Sequence, residues 1–224
     1  MKSSLIVSSI AALLLAGAPA AAKDKPVPVA APPALPTVVD MDPSHDPGNV
    51  VDLDLSNGGR VTIRLMPQWA PNHVERIKTL VGQHFYDGVV FHRVIEGFMA
   101  QTGDPTGTGA GGSQLPDLKA EFNSMPHLRG TVSMARTDQP DSANSQFFIV
   151  FYPRFSLDRK YTVFGRVIAG MDAVDRIERG EPPANPTKIV RASLGSDNVP
   201  PPVRAPLPAQ PPITVDQLEA PQTN

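Results

Sequence analysis

The chain has 224 residues, with 20 basic and 22 acidic side chains, a formal net charge of −2 and no cysteine. So even a balance speaks against a protein held to nucleic acid by phosphate neutralisation. The missing thiols exclude a disulfide framework, a zinc–thiolate site, a thiol nucleophile and a lipidated cysteine. At 41% hydrophobic the chain is too apolar to be disordered throughout.

In chain order, Lys2, an apolar run from Leu5 to Leu15 and the small residues Ala20, Ala21 and Ala22 read as a signal peptide over 1–22, cleaved after Ala22. A membrane span would need about 20 apolar residues. The mature protein is therefore expected to be exported, to a bacterial periplasm or, alternatively, secreted, with no membrane span once the signal is removed. The 26 prolines are unevenly spread: seven fall in 23–47 and eight in 197–224. Proline fixes φ and deletes a donor, so both stretches are expected to be extended and unpacked, a linker and a tail. Between them, 48–196 is long enough for one domain with a single core.

That domain opens on period-2 alternation. Val51, Leu53 and Leu55 alternate with Asp52 and Asp54, and Val61, Ile63 and Leu65 with Thr62 and Arg64; Ser56, Asn57, Gly58 and Gly59 between them predict a hairpin. Pro71 and Asn72, with Asn72 as the cap, open a helix whose Val74, Ile77, Val81 and Phe85 share one stripe. Further β-rich runs are 89–95, 131–135, 146–151, 161–167 and 188–192. Met171, Val174 and Ile177 predict a second helix, stopped by Gly180. Many short strands and two helices suggest a sandwich or a closed barrel.

Two features invite other readings. Gly107, Gly109 and Gly112 fit G-x-G-x-x-G, but Ser113, Gln114 and Pro116 follow with no helical period, so a mobile glycine loop is preferred to a dinucleotide site. His45, His73, His84, His92 and His127 make neither H-x-H nor H-E-x-x-H spacing, and no metal is expected. No G-x-S-x-G elbow is present.

Three segments remain: FHRVIEGFMAQTGD from Phe91 to Asp104, GTVSMAR from Gly130 to Arg136, and SANSQFFI from Ser142 to Ile149. On pattern alone their aromatics and methionines are core, and Arg93 is an edge residue with a buried stem. Together, however, these segments closely resemble the cyclophilin family of peptidyl-prolyl cis-trans isomerases, over about 49–194. The resemblance implies an eight-stranded antiparallel closed β-barrel capped by two α-helices. It also implies a cofactor-free isomerase acting on proline-containing segments of unfolded or partly folded proteins. Nothing in the sequence suggests an obligate oligomer, and a monomer is expected.

By the same resemblance, Arg93 is the catalytic arginine, and Gln101 holds the substrate carbonyl and supports that arginine. Phe98, Met99, Phe148 and Leu157 form the proline pocket, the backbone of Ala135 and Arg136 pairs with the extended peptide, Gln146 is a polar residue beside the pocket, and Tyr161 stands at its rim. There are departures. Arg136 replaces an Asn and Tyr161 a His. Glu96 and Thr102 replace a Pro and a Gly. Ser156 stands where the eukaryotic members best known for binding cyclosporin carry Trp, with Phe155 expected to fill part of that space. The rival reading from another class is a module that binds proline peptides, as a chaperone or scaffold, without useful turnover.

Overall fold

A computed structural model describes residues 37–202. The segment expected to be a signal peptide and the greater part of both proline-rich stretches lie outside these residues. Eight strands form one antiparallel sheet: β1 (Val50–Leu55), β2 (Arg60–Leu65), β3 (Arg93–Ile95), β4 (Met99–Thr102), β5 (Thr131–Met134), β6 (Phe147–Val150), β7 (Val163–Ala169) and β8 (Ile189–Leu194). Their order is β3-β4-β6-β5-β7-β2-β1-β8. Helix α1 (Pro71–Gly82) and the short α2 (Met171–Asp175) accompany the sheet.

The opening hairpin forms as the alternation predicts, with Leu53 paired to Val61 and Leu55 accepting at its carbonyl from Gly58 N–H. A Cβ at Gly59 would lie 2.3 Å from the Ala173 Cβ, so this turn packs against α2 only because a glycine is there. The main core gathers the inward residues of all eight strands, among them Leu53, Ile63, Val94, Ala100, Val132, Ile149, Phe164 and Ile189, with Val74, Ile77 and Val81 from α1. Alternate residues of each strand share that core, as period 2 requires, while β5 and β6 are buried on both faces.

The structure differs from expectation in several places. The expected closed barrel is an open, curled sheet. The order ends at β3 and β8, and these are not paired in a ladder. β3 is only three residues long, and its free edge at Val94 is occupied by Gly180. Val90 meets Lys188 in another isolated bridge. Strand β4 lies in a run that carries no clear alternation, so sequence period misses it; it exists because β3 and β6 flank it.

Asn72 does not cap α1. Ala70 is the N-cap, Pro71 takes the first turn, and the carboxylate of Glu121 accepts from the Asn72 and His73 N–H groups at 3.1 Å each. A remote acid thus satisfies the donors that a local side chain would otherwise cover. α2 ends at Asp175, before the predicted Ile177.

The segments flanking the sheet are tied to it by arginines. The Arg64 guanidinium donates to the carbonyls of Asp40 and Asp46 at 3.2 and 3.0 Å and to that of Asp42. At the other end, Arg60 donates to the carbonyls of Val199 and Pro200 at 2.9 and 3.1 Å. Two strand arginines therefore tie down the first and last described segments. Among the described residues no helix is long and apolar enough to cross a membrane.

Candidate active site

The register carries one row of residues across four strands. Arg93 on β3 faces Gln101 on β4, Gln101 faces Phe148 on β6, and Phe148 faces Ser133 on β5. Directly opposed residues of an antiparallel sheet project to the same side. The neighbours Val94, Ala100, Ile149 and Val132 enter the main core. The row itself therefore stands on the other face, where Met99, Phe148 and Val150 make a separate apolar cluster with Ile95, Phe98, Ala135, Leu157 and Tyr161 packed against it.

Over this cluster lies a concavity of about 120 Å³. It is lined by Arg93, Phe98, Met99, Gln101, Ala135, Arg136, Phe148, Leu157 and Tyr161. All but one of the residues named from sequence therefore meet around one apolar-floored pocket. The exception is Gln146. It belongs to an adjoining cleft of about 590 Å³ that shares Gln101, Ala135 and Arg136 with the pocket. Gln146 still connects to the site: its Oε1 accepts from Gln101 Nε2 at 2.9 Å, and its own Nε2 donates to the carbonyls of Gly109 and Gly111 at 3.0 and 2.8 Å.

Phe148 is held from two sides. The His127 ring lies nearly parallel to it at 6.2 Å, and Tyr161 meets it edge-on at 5.7 Å. His127 is itself fully buried, with Nδ1 2.8 Å from Asp158 Oδ1 and Nε2 2.9 Å from Ser133 Oγ. Burial lowers the His127 pKa despite the Asp158 carboxylate, so the ring stays neutral beneath the pocket. Ser133 and His127 are fully buried and support Phe148 from beneath the pocket.

At the rim, the Arg136 guanidinium lies 4.7 Å from the Tyr161 ring centroid and 5.7 Å from that of Phe122. It donates to the Lys160 carbonyl at 2.9 Å. Its charge is thus folded back along the rim. Ala135 N–H donates to the Gln146 carbonyl at 2.9 Å. Phe155 is 65% exposed and does not fill the space beside Ser156, contrary to expectation. Glu96 and Thr102 acquire a structural account: Glu96 accepts from Arg179 Nε at 2.7 Å, and Thr102 Oγ1 donates to the Val90 carbonyl at 2.9 Å.

Arg93 has a partner that sequence reasoning missed. Its Nε donates to Glu181 Oε2 at 2.7 Å, while Nη1 lies 3.5 Å from Gln101 Oε1. Nothing in the local sequence around Glu181 marks it; only the pairing of Val94 with Gly180 brings it here.

The glycine run is held rather than mobile. Asp104, with no exposed surface, accepts from the Gly109 and Gly111 N–H groups at 2.6 and 3.1 Å and from Thr106 N–H at 2.8 Å. A carboxylate already uses the amides a phosphate would need. Among the described residues no cluster of histidine and acidic side chains could hold a metal.

The family model described as cyclophilin type peptidyl-prolyl cis-trans isomerase/CLD matches residues 50–194. The chain is 49% identical over 168 residues to a protein named probable peptidyl-prolyl cis-trans isomerase from Brucella suis, covering 68% of this chain and 85% of that one. It is 44% identical over 125 residues to peptidyl-prolyl cis-trans isomerase-like 3 of Rattus norvegicus, covering 54% and 77%. Among solved structures, a cyclophilin from Hirschia baltica aligns with a TM-score of 0.64 at 34% identity, over 69% of this chain and 77% of that one. A cyclophilin-type isomerase of Cryptosporidium parvum, crystallised in the presence of the dipeptide Ala-Pro, aligns with a TM-score of 0.60 at 26% identity, over 65% and 98%.

Proposed function

The chain belongs to the cyclophilin-type peptidyl-prolyl cis-trans isomerase family, and from that premise we propose that Arg93 drives the rotation of X-Pro bonds held in the pocket beside it. The observation that carries this reading is the register row. It sets a guanidinium beside an apolar pocket floored by Met99 and Phe148.

The imide is held planar by resonance, with a barrier of about 18–20 kcal/mol, and rotates unaided in tens to hundreds of seconds. No bond is made or broken, so the protein need only favour the twisted state. A donor at the imide nitrogen does so, because that nitrogen recovers its lone pair as the amide twists. Arg93 can supply the donor and stays protonated at any working pH. Raising a rate from about 10⁻² to about 10³ s⁻¹ takes roughly 7 kcal/mol. One charged donor covers a few of these; the rest falls to gripping the peptide. Phe98, Met99, Phe148 and Leu157 would take the proline ring, Gln101 the substrate carbonyl, and the Ala135 to Arg136 edge the extended chain. Gln146 would set the Gln101 amide from the adjoining cleft, and Tyr161 would close the rim.

The substrates we propose are proline-containing segments of exported proteins as they fold. The amino-terminal signal pattern supports that placement, with the isomerase domain set between two proline-rich stretches. The test is an exchange or protease-coupled assay on one Ala-Pro peptide. Arg93→Ala should lose at least about tenfold in rate with an unchanged melting curve. Full activity in a pure, folded variant would reject the arginine assignment, and a wild type that binds the peptide without accelerating exchange would favour the binding-module reading.

A further inference from the structure

The contact between Arg93 and Glu181 is set by the backbone. Val94 and Gly180 form an antiparallel bridge, with N–H to carbonyl distances of 2.8 and 2.9 Å. In such a pairing the residues before and after the bridge stand opposite one another, so Arg93 faces Glu181 as a cross-strand pair. The bridge admits no side chain on its far partner: a Cβ at Gly180 would lie 2.5 Å from the Pro183 Cα. Arg179, one residue back, donates from Nε to Glu96 at 2.7 Å, and its guanidinium carbon lies 4.2 Å from the Phe151 ring centroid. The carboxylate is thus delivered to the arginine by a segment fastened to the β3–β4 hairpin on either side.

We infer that Glu181 is a positioning residue for the Arg93 guanidinium, holding it by Nε–H so that its terminal N–H groups are presented to the imide. This rests on the reading of Arg93 as the catalytic donor. The side chain of Arg93 is 41% exposed, and its contact with Gln101 at 3.5 Å is too long to orient it. The 2.7 Å contact with Glu181 is the short, charge-assisted one. It uses the Nε edge and leaves the terminal fork to the substrate. As a charge alone, Glu181 would act in the opposite direction, because an anion beside the guanidinium weakens the field at the imide nitrogen. Orientation and neutralisation therefore predict opposite signs when the carboxylate is removed.

The experiment compares Glu181→Ala and Glu181→Gln, each in the wild-type and Arg93→Ala backgrounds, by isomerisation of an Ala-Pro peptide. Glu181→Ala is expected to lower kcat about three- to tenfold with KM changed less than about twofold. Glu181→Gln, which still accepts from Nε–H through its carbonyl oxygen, should keep at least about half the wild-type kcat. Neither change should alter the residual rate once Arg93 is gone. An unchanged or raised kcat in Glu181→Ala, equal losses in the two variants, or the same loss without Arg93 would overturn the inference. An Arg93→Ala protein as fast as wild type would overturn the arginine reading and this inference with it. A dead Arg93→Ala beside an unaffected Glu181→Ala would overturn this inference alone.

Discussion

The proposed mechanism turns on two side chains, Arg93 and Ser156. Arg93 acts in it through both its charge and its planar fork, and its Nε edge is occupied by Glu181. Lysine would keep the charge as a point and lose the fork. Arg93→Lys is therefore expected to fall at least about tenfold in kcat/KM, close to Arg93→Ala, in the same exchange assay. Near-wild-type activity for Arg93→Lys would mean that charge suffices. Ser156 is exposed, and Phe155 beside it points to solvent with 65% of its surface free. With no aromatic ring closing that side of the pocket, cyclosporin should inhibit only in the micromolar range or above. A nanomolar inhibition constant would show that the rim closes by other means.

At the level of elements, the segment from Asp104 to Ser113 carries the most concentrated polar network beside the site. Burial alone would raise the Asp104 pKa, but Thr106 Oγ1 and the Thr106, Gly111 and Gly109 amides outweigh it and hold the carboxyl down at about 2. The carboxylate stabilises the loop whose Gly109 and Gly111 carbonyls receive Gln146, and Gln146 in turn receives Gln101. Asn at 104 would offer one accepting oxygen and turn an NH₂ toward the loop amides. Asp104→Asn should therefore destabilise the protein by about 1–3 kcal/mol in urea denaturation at pH 7, and lower kcat through Gln101. A stability equal to wild type would show that the loop does not depend on this acid. The run reads as mobile because glycine is permissive in isolation; the acid that binds it is recognisable only once the loop is folded around it.

For the whole molecule, the consequence of so many buried polar groups is sensitivity to acid. Burial lowers the pKa of His73, His92 and His127 against the pull of Glu121, Asp104 and Asp158 in turn. Both ring nitrogens of His92 are buried without a hydrogen-bond partner among the described residues. An unfolded histidine binds its proton below about pH 6.5, while these three resist it, so the unfolded state binds more protons and stability falls as pH drops below that value. A second loss follows at lower pH. Asp54, Asp104 and Glu121 have depressed native pKa values despite burial, Asp54 through Arg60 and Arg191. Their contribution is present above the unfolded carboxyl range near pH 4 and is lost as pH falls toward about 2 for Asp104. Melting temperatures should hold between pH 8 and 7, drop by pH 5.5, and drop again by pH 3. A flat profile from pH 8 to 5.5 would contradict the histidine part.

What could be read without coordinates was whatever depends on short range. Period 2 found the first hairpin and most strands, the 3.6 period found α1, and the runs around Arg93, Met134 and Phe148 carried the family. Their residue types are tied to a pocket that alternation itself builds, with Arg93, Gln101 and Phe148 one way and Val94, Ala100 and Ile149 the other. Tertiary structure decided everything that depends on two distant segments meeting. It capped α1 with Glu121 instead of Asn72, ended the sheet at β3 where Gly180 takes its edge, tied the glycine run to Asp104, and set Glu181 against Arg93. Such contacts leave no periodic trace, because a single carboxylate can satisfy a donor from any point along the chain. Which donor it reaches is decided by register and burial, and these exist only in the folded state.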